Sequence, residues 1–591
     1  MKIPHTMTWA FWAHEPIQFY RRRHADIHSI LGTGRWTEAW YDRIHTEEAI
    51  SKAAEIGVNL IYTHFYKGFG LEFEKEEMER TAEVVRIGHK YGMTVLGYCT
   101  PGTFYAETLA EEFENPLEAS RIDASGKPYH PGFEGGFPSR NFTCYNSSRY
   151  FDEYFPKIIE HGLKVTGLDG FHFDNATSEL PCHCATCLAA FRKYLQDHAG
   201  DPKRYALGSW NHVGFPAAHG PLEPIKVQWL RYCRDLCTEL HTKLFRKVKE
   251  LDPEAIVLYN PGLGRFTPNG YEPLDAPAEA DMAFIETPSV IRWEKETNQH
   301  ITAVPSYKLA ELTHKKALNT SWLSNEHSLR TPENQEEINR LVAEHMVFGR
   351  DCGSNWLCRP MKKGSAMLMD TPLHHDALKK AFTYFKEHPE LYVDTTPVSK
   401  VKILYSTVTR LLLAEEHHKG VLEVVELLRA KGLPWSYITP DSPAPGADET
   451  VIIPNCLALS DADGEKLAQW PCKILSLSTA GILDEDGIER EEPLYPPADL
   501  SQITAGFQSP MEHALFETAR AADGSLLVHV INIDNESTRA ETAITLPFRA
   551  ESCQAFSFED NVSVELAAPD KVIVKNLKTL CTLKFTLLGE Y

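Results

Sequence analysis

Gly167–Leu188 reads GLDGFHFDNATSELPCHCATCL. Leu168–Phe173 is a short apolar run, and Asp174 and Asn175 follow it directly. A continuous apolar run of this length fits a parallel strand buried on both faces. Such a strand would deliver a carboxylate to the open end of a sheet or barrel. A few residues on comes Cys182-x-Cys184-x-x-Cys187, a thiol cluster with metal-ligand spacing. The stretch therefore predicts an active-site loop with a carboxylate at its root and a staple beside it.

Similar runs recur on both sides. Thr8–His14, Val58–His64 and Met93–Cys99 precede the run at Leu168, and Ala255–Pro261, Asp281–Thr287, Ala317–Leu323 and Gly353–Cys358 follow it. Helical patterns separate them. Thr46 is an N-cap candidate, with Glu47 and Glu48 in the first turn and Gly57 as the stop. Ile225, Trp229, Leu236, Leu240, Leu244 and Val248 keep helical spacing through a long helix. Eight strand–helix units predict a (β/α)8 TIM barrel over residues 1–390. The rival, a doubly wound open sheet, would want Gly-x-Gly-x-x-Gly at the first strand–helix turn, and that motif is missing.

The texture changes after residue 395. Val401–Tyr405, Val451–Pro454 and Ile474–Leu477 alternate with helical runs near Lys419–Lys431 and Asp461–Gln469, which predicts a flavodoxin-like α/β domain over 395–505. From 506 to 591 apolar and polar residues alternate between turns such as Asp523-Gly524, which predicts a C-terminal β-sandwich.

A chain of 591 residues is too long for one core. Its net charge of −22, without a basic stripe, argues against a nucleic-acid partner. No run approaches the ~18 apolar residues of a membrane span. The N-terminus, MKIPHTMTWAFWAHEP, lacks a signal-peptide pattern, so the 13 cysteines are expected to be reduced and the protein cytoplasmic.

Barrel chemistry gathers at the C-terminal ends of the strands. Asp174 and Glu286 each follow an apolar run there, on strands four and six. Two carboxyls whose environments separate their pKa values are what glycoside hydrolysis requires. They are the catalytic candidates, with Glu326 near strand seven as the substitute. His14, His64 and Asn175 are candidates for sugar hydroxyls, the histidines being equally explicable as satisfied rim residues. Trp12, Tyr66, Trp322 and Trp356 suit the apolar face of a sugar ring or the aromatic core. Cys144 could join Cys182, Cys184 and Cys187 as the fourth ligand of a closed, structural zinc site. No organic cofactor is expected.

These residues resemble the glycoside hydrolase family 42 β-galactosidases. That family runs barrel, flavodoxin-like trimerisation domain, small β domain, and the order looks the same along this whole chain. Its zinc site takes one cysteine from an Arg-x-x-x-Cys-x-Asn-Ser-type loop and three from a Cys-x-Cys-x-x-Cys loop followed by an aromatic-basic helix. Arg140 and Cys144, then Cys182, Cys184 and Cys187 with Phe191-Arg192-Lys193-Tyr194, match. The resemblance implies that Arg140 contacts the sugar or the nucleophile, and that the protein is a homo-oligomer, a dimer or trimer. One departure bears on mechanism. The family ends strand four in Asn-Glu, the Glu being the acid/base, whereas here Asn175 precedes Ala176. Asp-Gly-Phe-His-Phe-Asp looks instead like the strand-four segment of barrel glycosidases that use Asp as nucleophile and an acid/base on strand six. An exo-acting, retaining glycosidase of small glycosides is expected. The alternative is a non-catalytic carbohydrate-binding relative.

Overall fold

In the computed structural model, each apolar run of the first part of the chain becomes a strand. They are β1 (Thr8–Ala13), β2 (Leu60–Tyr66), β3 (Thr94–Cys99), β4 (Gly170–Phe173), β5 (Ile256–Tyr259), β6 (Met282–Ile285), β7 (Lys316–Asn319) and β8 (Cys352–Ser354). The structure describes residues 3–13, 16–18, 21, 38–130, 140–174, 182–217, 221–263, 272–286, 291–296, 299–320, 334–354, 357–358, 366–533 and 539–589. The strands form one sheet in the order β7-β6-β5-β4-β3-β2-β1-β8, every neighbour parallel. With β8 back beside β1, this is a nearly closed (β/α)8 barrel; no β7–β8 ladder is found among the described residues.

The strands read as unbroken apolar runs because both faces are covered. Alternate residues point inward, among them Trp9, Leu60, Leu96, Ile256, Met282 and Leu318, and form one core inside the barrel. Their neighbours face the helices and form the larger core outside. Close packing is severe at the start of β4, where a Cβ on Gly170 would lie 2.0 Å from the Ile256 carbonyl oxygen. The helix caps follow the sequence. Thr46 accepts from the Ala49 N–H at 3.4 Å, and Gly57 ends that helix at a φ of 109°. The long helix is Pro224–Leu251.

Val401–Leu404, Trp435–Ile438, Thr450–Ile453 and Lys473–Ser476 make an open parallel sheet, with Trp435–Ile438 and Thr450–Ile453 flanking Val401–Leu404. This is a flavodoxin-like order. The strand Trp435–Ile438 is absent from the sequence reading. The C-terminal part forms a five-stranded antiparallel sheet and a three-stranded one, with Val528, Val530, Leu583 and Phe585 packed against Ile544, Val572 and Val574. The short strand Thr395–Pro397 joins the five-stranded sheet by pairing with Ala514–Ala521. Among the described residues no helix is long and apolar enough to cross a membrane.

Candidate active site

Asp174, Asn260 and Glu286 stand at the C-terminal ends of β4, β5 and β6. Parallel pairing continues one step past the strands, since the Asp174 N–H donates to the Cys99 carbonyl at 2.9 Å and the Asn260 N–H to the Phe173 carbonyl at 2.9 Å. Backbone ladders thus fix where these side chains start. All three extend the inward-facing rows that hold His172, Leu258 and Phe284 below them.

The three side chains meet. The Asn260 amide donates to Asp174 Oδ1 at 3.0 Å and to Glu286 Oε2 at 3.3 Å. One amide nitrogen reaches both, so these oxygens lie no more than about 6.3 Å apart. The Tyr98 hydroxyl, from β3, donates to the other Asp174 oxygen. Both carboxylates are half-buried.

Aromatic rings make the floor. His172 lies against Tyr62, Tyr98 and Phe284 with ring centroids 5.0, 5.3 and 4.4 Å away. Burial pushes the Tyr62 phenol well above its ordinary range, and the charges of Asp174 and Glu286 push it the same way. Its hydroxyl has no hydrogen-bond partner among the described residues. Tyr62 is therefore a neutral group beneath both carboxylates.

Arg140 lies in the loop after β3. It opens the strand Arg140–Phe142, which pairs with Thr103–Tyr105 in the loop after β3. Its guanidinium is 1% exposed, donates to Thr103 Oγ1 at 2.9 Å and lies 5.5 Å over the Tyr105 ring.

Two residues past the strand Arg140–Phe142 the same loop reaches the thiols. The metal-binding atoms of Cys144, Cys182, Cys184 and Cys187 all lie within 4.8 Å of one another. Cys144 Sγ is 3.4 Å from Cys187 Sγ and 3.9 Å from Cys184 Sγ. A tetrahedral ion with metal–sulfur bonds of about 2.3 Å, the length for zinc, needs sulfurs about 3.8 Å apart. The four side chains could therefore hold one. Donors already point at the sulfurs: Asn146 Nδ2 at 3.1 Å from Cys187, the Ile122 N–H at 3.4 Å from Cys182, and the Cys187 N–H at 3.4 Å from Cys184. The thiols share their protons unevenly. Hydrogen bonding from Cys144 brings Cys182 down to about 7, and Cys184 is also lowered, while Cys187 and Cys144 are pushed up.

His64 is buried between two carboxylates. It is 2% exposed and held 3.1 Å from both Glu74 Oε2 and Glu77 Oε2. Burial alone would lower its pKa, but hydrogen bonds to the two carboxylates together hold it up to about 9. These three groups also lie within 4.8 Å of one another. Glu74, however, is already committed to backbone donors, taking the Lys67 N–H at 2.8 Å and the Phe69 N–H at 2.7 Å. An imidazolium between two carboxylates satisfies the cluster without a metal. Trp12 and Tyr66 are likewise buried in the outer core, Trp12 donating to the Ile44 carbonyl at 3.1 Å. His14, Asn175, Trp322, Glu326 and Trp356 lie outside the described residues. Tyr98 was not among the sequence candidates. Its signal was its place on the same alternate row as Leu96, one step from a strand end.

No family model matches the chain. A curated relative, the β-galactosidase Bga of Halorubrum lacusprofundi, is 24% identical over 266 residues, 41% of this chain and 36% of that protein. The match thus spans about a third of the relative's length. Solved structures match over nearly the whole chain. A GH42 β-galactosidase from G. stearothermophilus aligns with a TM-score of 0.67 at 13% identity, covering 99% of each chain. A β-galactosidase from Rahnella sp. gives 0.68 at 12%, over 98% of each. An exo-carrageenase GH42 from Bacteroides ovatus gives 0.63 at 12%, over 99% of this chain and 82% of that one. At such identities the likeness is one of fold. From the first barrel strand to the last β-sheet, the architecture is that of the GH42 β-galactosidases.

Proposed function

We propose that the protein is a glycoside hydrolase that removes sugars from the ends of small glycosides with retention of configuration, Asp174 being the nucleophile and Glu286 the general acid/base. The observation that carries this is the Asn260 amide shared by the two carboxylates. It keeps the two oxygens within about 6.3 Å, on the side of retaining glycosidases, whose carboxyl groups are about 5–5.5 Å apart, and short of the ~6.5–9.5 Å that inverting ones need. The donors also support the division of labour. Asp174 takes the Tyr98 O–H and the Asn260 N–H, and donors to a carboxylate favour its charged form.

In the first step Asp174 attacks the anomeric carbon. The bond to the leaving oxygen breaks, and Glu286 gives that oxygen its proton. In the second step Glu286 takes a proton from water, the water oxygen bonds to the anomeric carbon, and Asp174 leaves. Arg140 is assigned to the sugar or to the nucleophile's side of the pocket. β-Galactosides head the substrate panel, because the relatives are called β-galactosidases.

Cys144, Cys182, Cys184 and Cys187 are assigned to a structural zinc ion. Bound there, it would hold the Arg140 loop against the loop after β4, and four thiolates leave no position for a water. A cytoplasmic homo-oligomer, dimer or trimer, completes the reading.

Asp174→Asn tests it on a panel of aryl glycosides. Turnover of a substrate that the native protein cleaves should vanish, and azide should restore it by taking the nucleophile's place. Undiminished hydrolysis in the variant, or no hydrolysis of any glycoside by the native protein, would overturn the assignment.

A further inference from the structure

The loop after β2 brings a cation to the nucleophile's side of the pocket. Lys67 follows Tyr66, is 2% exposed, and places its ammonium 4.9 Å from the centre of the Tyr98 ring. The hydroxyl of that ring donates to Asp174. We propose, resting on the glycosidase reading above, that Lys67 and Tyr98 are positioning residues for the reaction, the ammonium polarising the phenol so that its hydroxyl holds Asp174 ionised and aimed at the anomeric carbon.

The physical chain is short. A cation over an aromatic face is attracted by the ring's electrons, and in a desolvated place the attraction is stronger. Electron density drawn toward the ammonium leaves the phenolic O–H a better donor. A better donor stabilises the carboxylate it meets over the neutral acid. Burying an ammonium is costly unless it faces compensating charge, and Asp174 lies just beyond the ring.

Lys67 is also aimed rather than loose. Its backbone N–H is gripped by both oxygens of Glu74, at 3.0 and 2.8 Å, and Glu74 takes the Phe69 N–H as well. Glu74 is in turn clasped by His64. This gives the buried His64–Glu74–Glu77 cluster a task at the site, namely to fix the start of the loop that carries Lys67. The groups near Asp174 on neighbouring strands include Tyr62 of β2, Tyr98 of β3, Asn260 of β5 and Glu286 of β6. Lys67 is the cation paired with the Tyr98 ring among them.

The experiment is the pH profile of kcat/KM for the native protein, Lys67→Met, Tyr98→Phe, the double variant and Lys67→Arg. Lys67→Met and Tyr98→Phe should each lower kcat about tenfold to a hundredfold while KM stays nearly constant, within the range of a lost charged hydrogen bond. The acid limb, which reports ionisation of Asp174, should move up by about one pH unit, with the basic limb unmoved. Because Lys67 acts through Tyr98, the double variant should be no worse than Tyr98→Phe alone, and Lys67→Arg should recover most of the loss. An unmoved acid limb, or losses that multiply in the double variant, would overturn the proposal. A second readout does not need turnover. With the aspartate carboxyls labelled with carbon-13, the signal that vanishes in Asp174→Asn should titrate higher in Lys67→Met than in the native protein; an equal midpoint refutes the role. If Asp174→Asn keeps full activity, the glycosidase reading has failed. If it is dead while Lys67→Met keeps the native profile and midpoint, only this inference has.

Discussion

The side-chain amide of Asn260 is shared between Asp174 at 3.0 Å and Glu286 at 3.3 Å. One neutral group thereby spaces the two carboxyl groups and gives each a donor. Removing it should let the carboxylates drift and titrate together. Asn260→Ala is expected to lower kcat on an aryl glycoside by about 10²–10³-fold, the usual cost of one preorganised donor at a reacting centre. Asn260→Asp, which adds a third carboxyl, should be worse at neutral pH and partly recover in acid. Steady-state kinetics from pH 5 to 8 check both, and native kcat in Asn260→Ala would show that the bridge is incidental.

A pair of carboxyl groups held by one amide makes retention of configuration the expected outcome. Proton NMR of the first sugar released should show the anomer of the substrate before mutarotation. Glu286→Gln should cost about 10²–10⁴-fold on an alkyl glycoside, whose leaving oxygen needs a proton. On a dinitrophenyl glycoside, which does not, the loss should be small in the first step. Release of the opposite anomer would mean that a water molecule, not Asp174, makes the attack.

The four cysteines join two loops that belong to different strands. Cys144 follows the strand that carries Arg140, and Cys182, Cys184 and Cys187 lie at the start of the helix Ala185–His198, which follows β4 in the chain. Elemental analysis of protein purified without chelators should find about one zinc per chain, the capacity of a closed four-thiolate site. Cys187→Ser should lower the melting temperature by several degrees and raise KM more than it lowers kcat, because Arg140 loses its anchor. Protein purified without chelators that holds no zinc, and that Cys187→Ser leaves unchanged in melting temperature, would leave the cluster as packed thiols.

The barrel was legible because a strand covered on both faces has no choice of residue type: each run is apolar and stops where the C-terminal face begins. For the same reason the residues that follow two of the runs, Asp174 and Glu286, stood out as polar. Tyr98 did not, since an aromatic residue within a run reads as core and only its hydroxyl, one row below the rim, gives it a role. Lys67 was hidden in a Gly-containing loop, and its ring partner lies on another strand. His64 was open to two readings, a sugar contact or a satisfied histidine. It is polar at a strand end, yet Glu74 and Glu77, which claim it, come from the helix Lys75–Lys90 and the turn before it. Period-two spacing could not assign Trp12 and Tyr66 to the outer core either, because the register shifts near both strand ends.

The His64 cluster makes stability depend on pH in a stated direction. Its folded pKa is held up to about 9 by Glu74 and Glu77, above the ordinary histidine value of about 6.5. A group whose pKa is raised by folding contributes stability in full below its unfolded pKa and loses it as pH climbs through the folded one. The window is therefore about pH 6.5 to 9, and the shift corresponds to ~3 kcal/mol across it. Urea unfolding at half-unit steps from pH 6 to 9.5 should show that decline in the native protein. His64→Gln should start lower at pH 6, because two buried carboxylates lose their cation, and should lack this segment of the curve. A native free energy that stays level between pH 6.5 and 9 would show that the imidazole is neutral in the folded state.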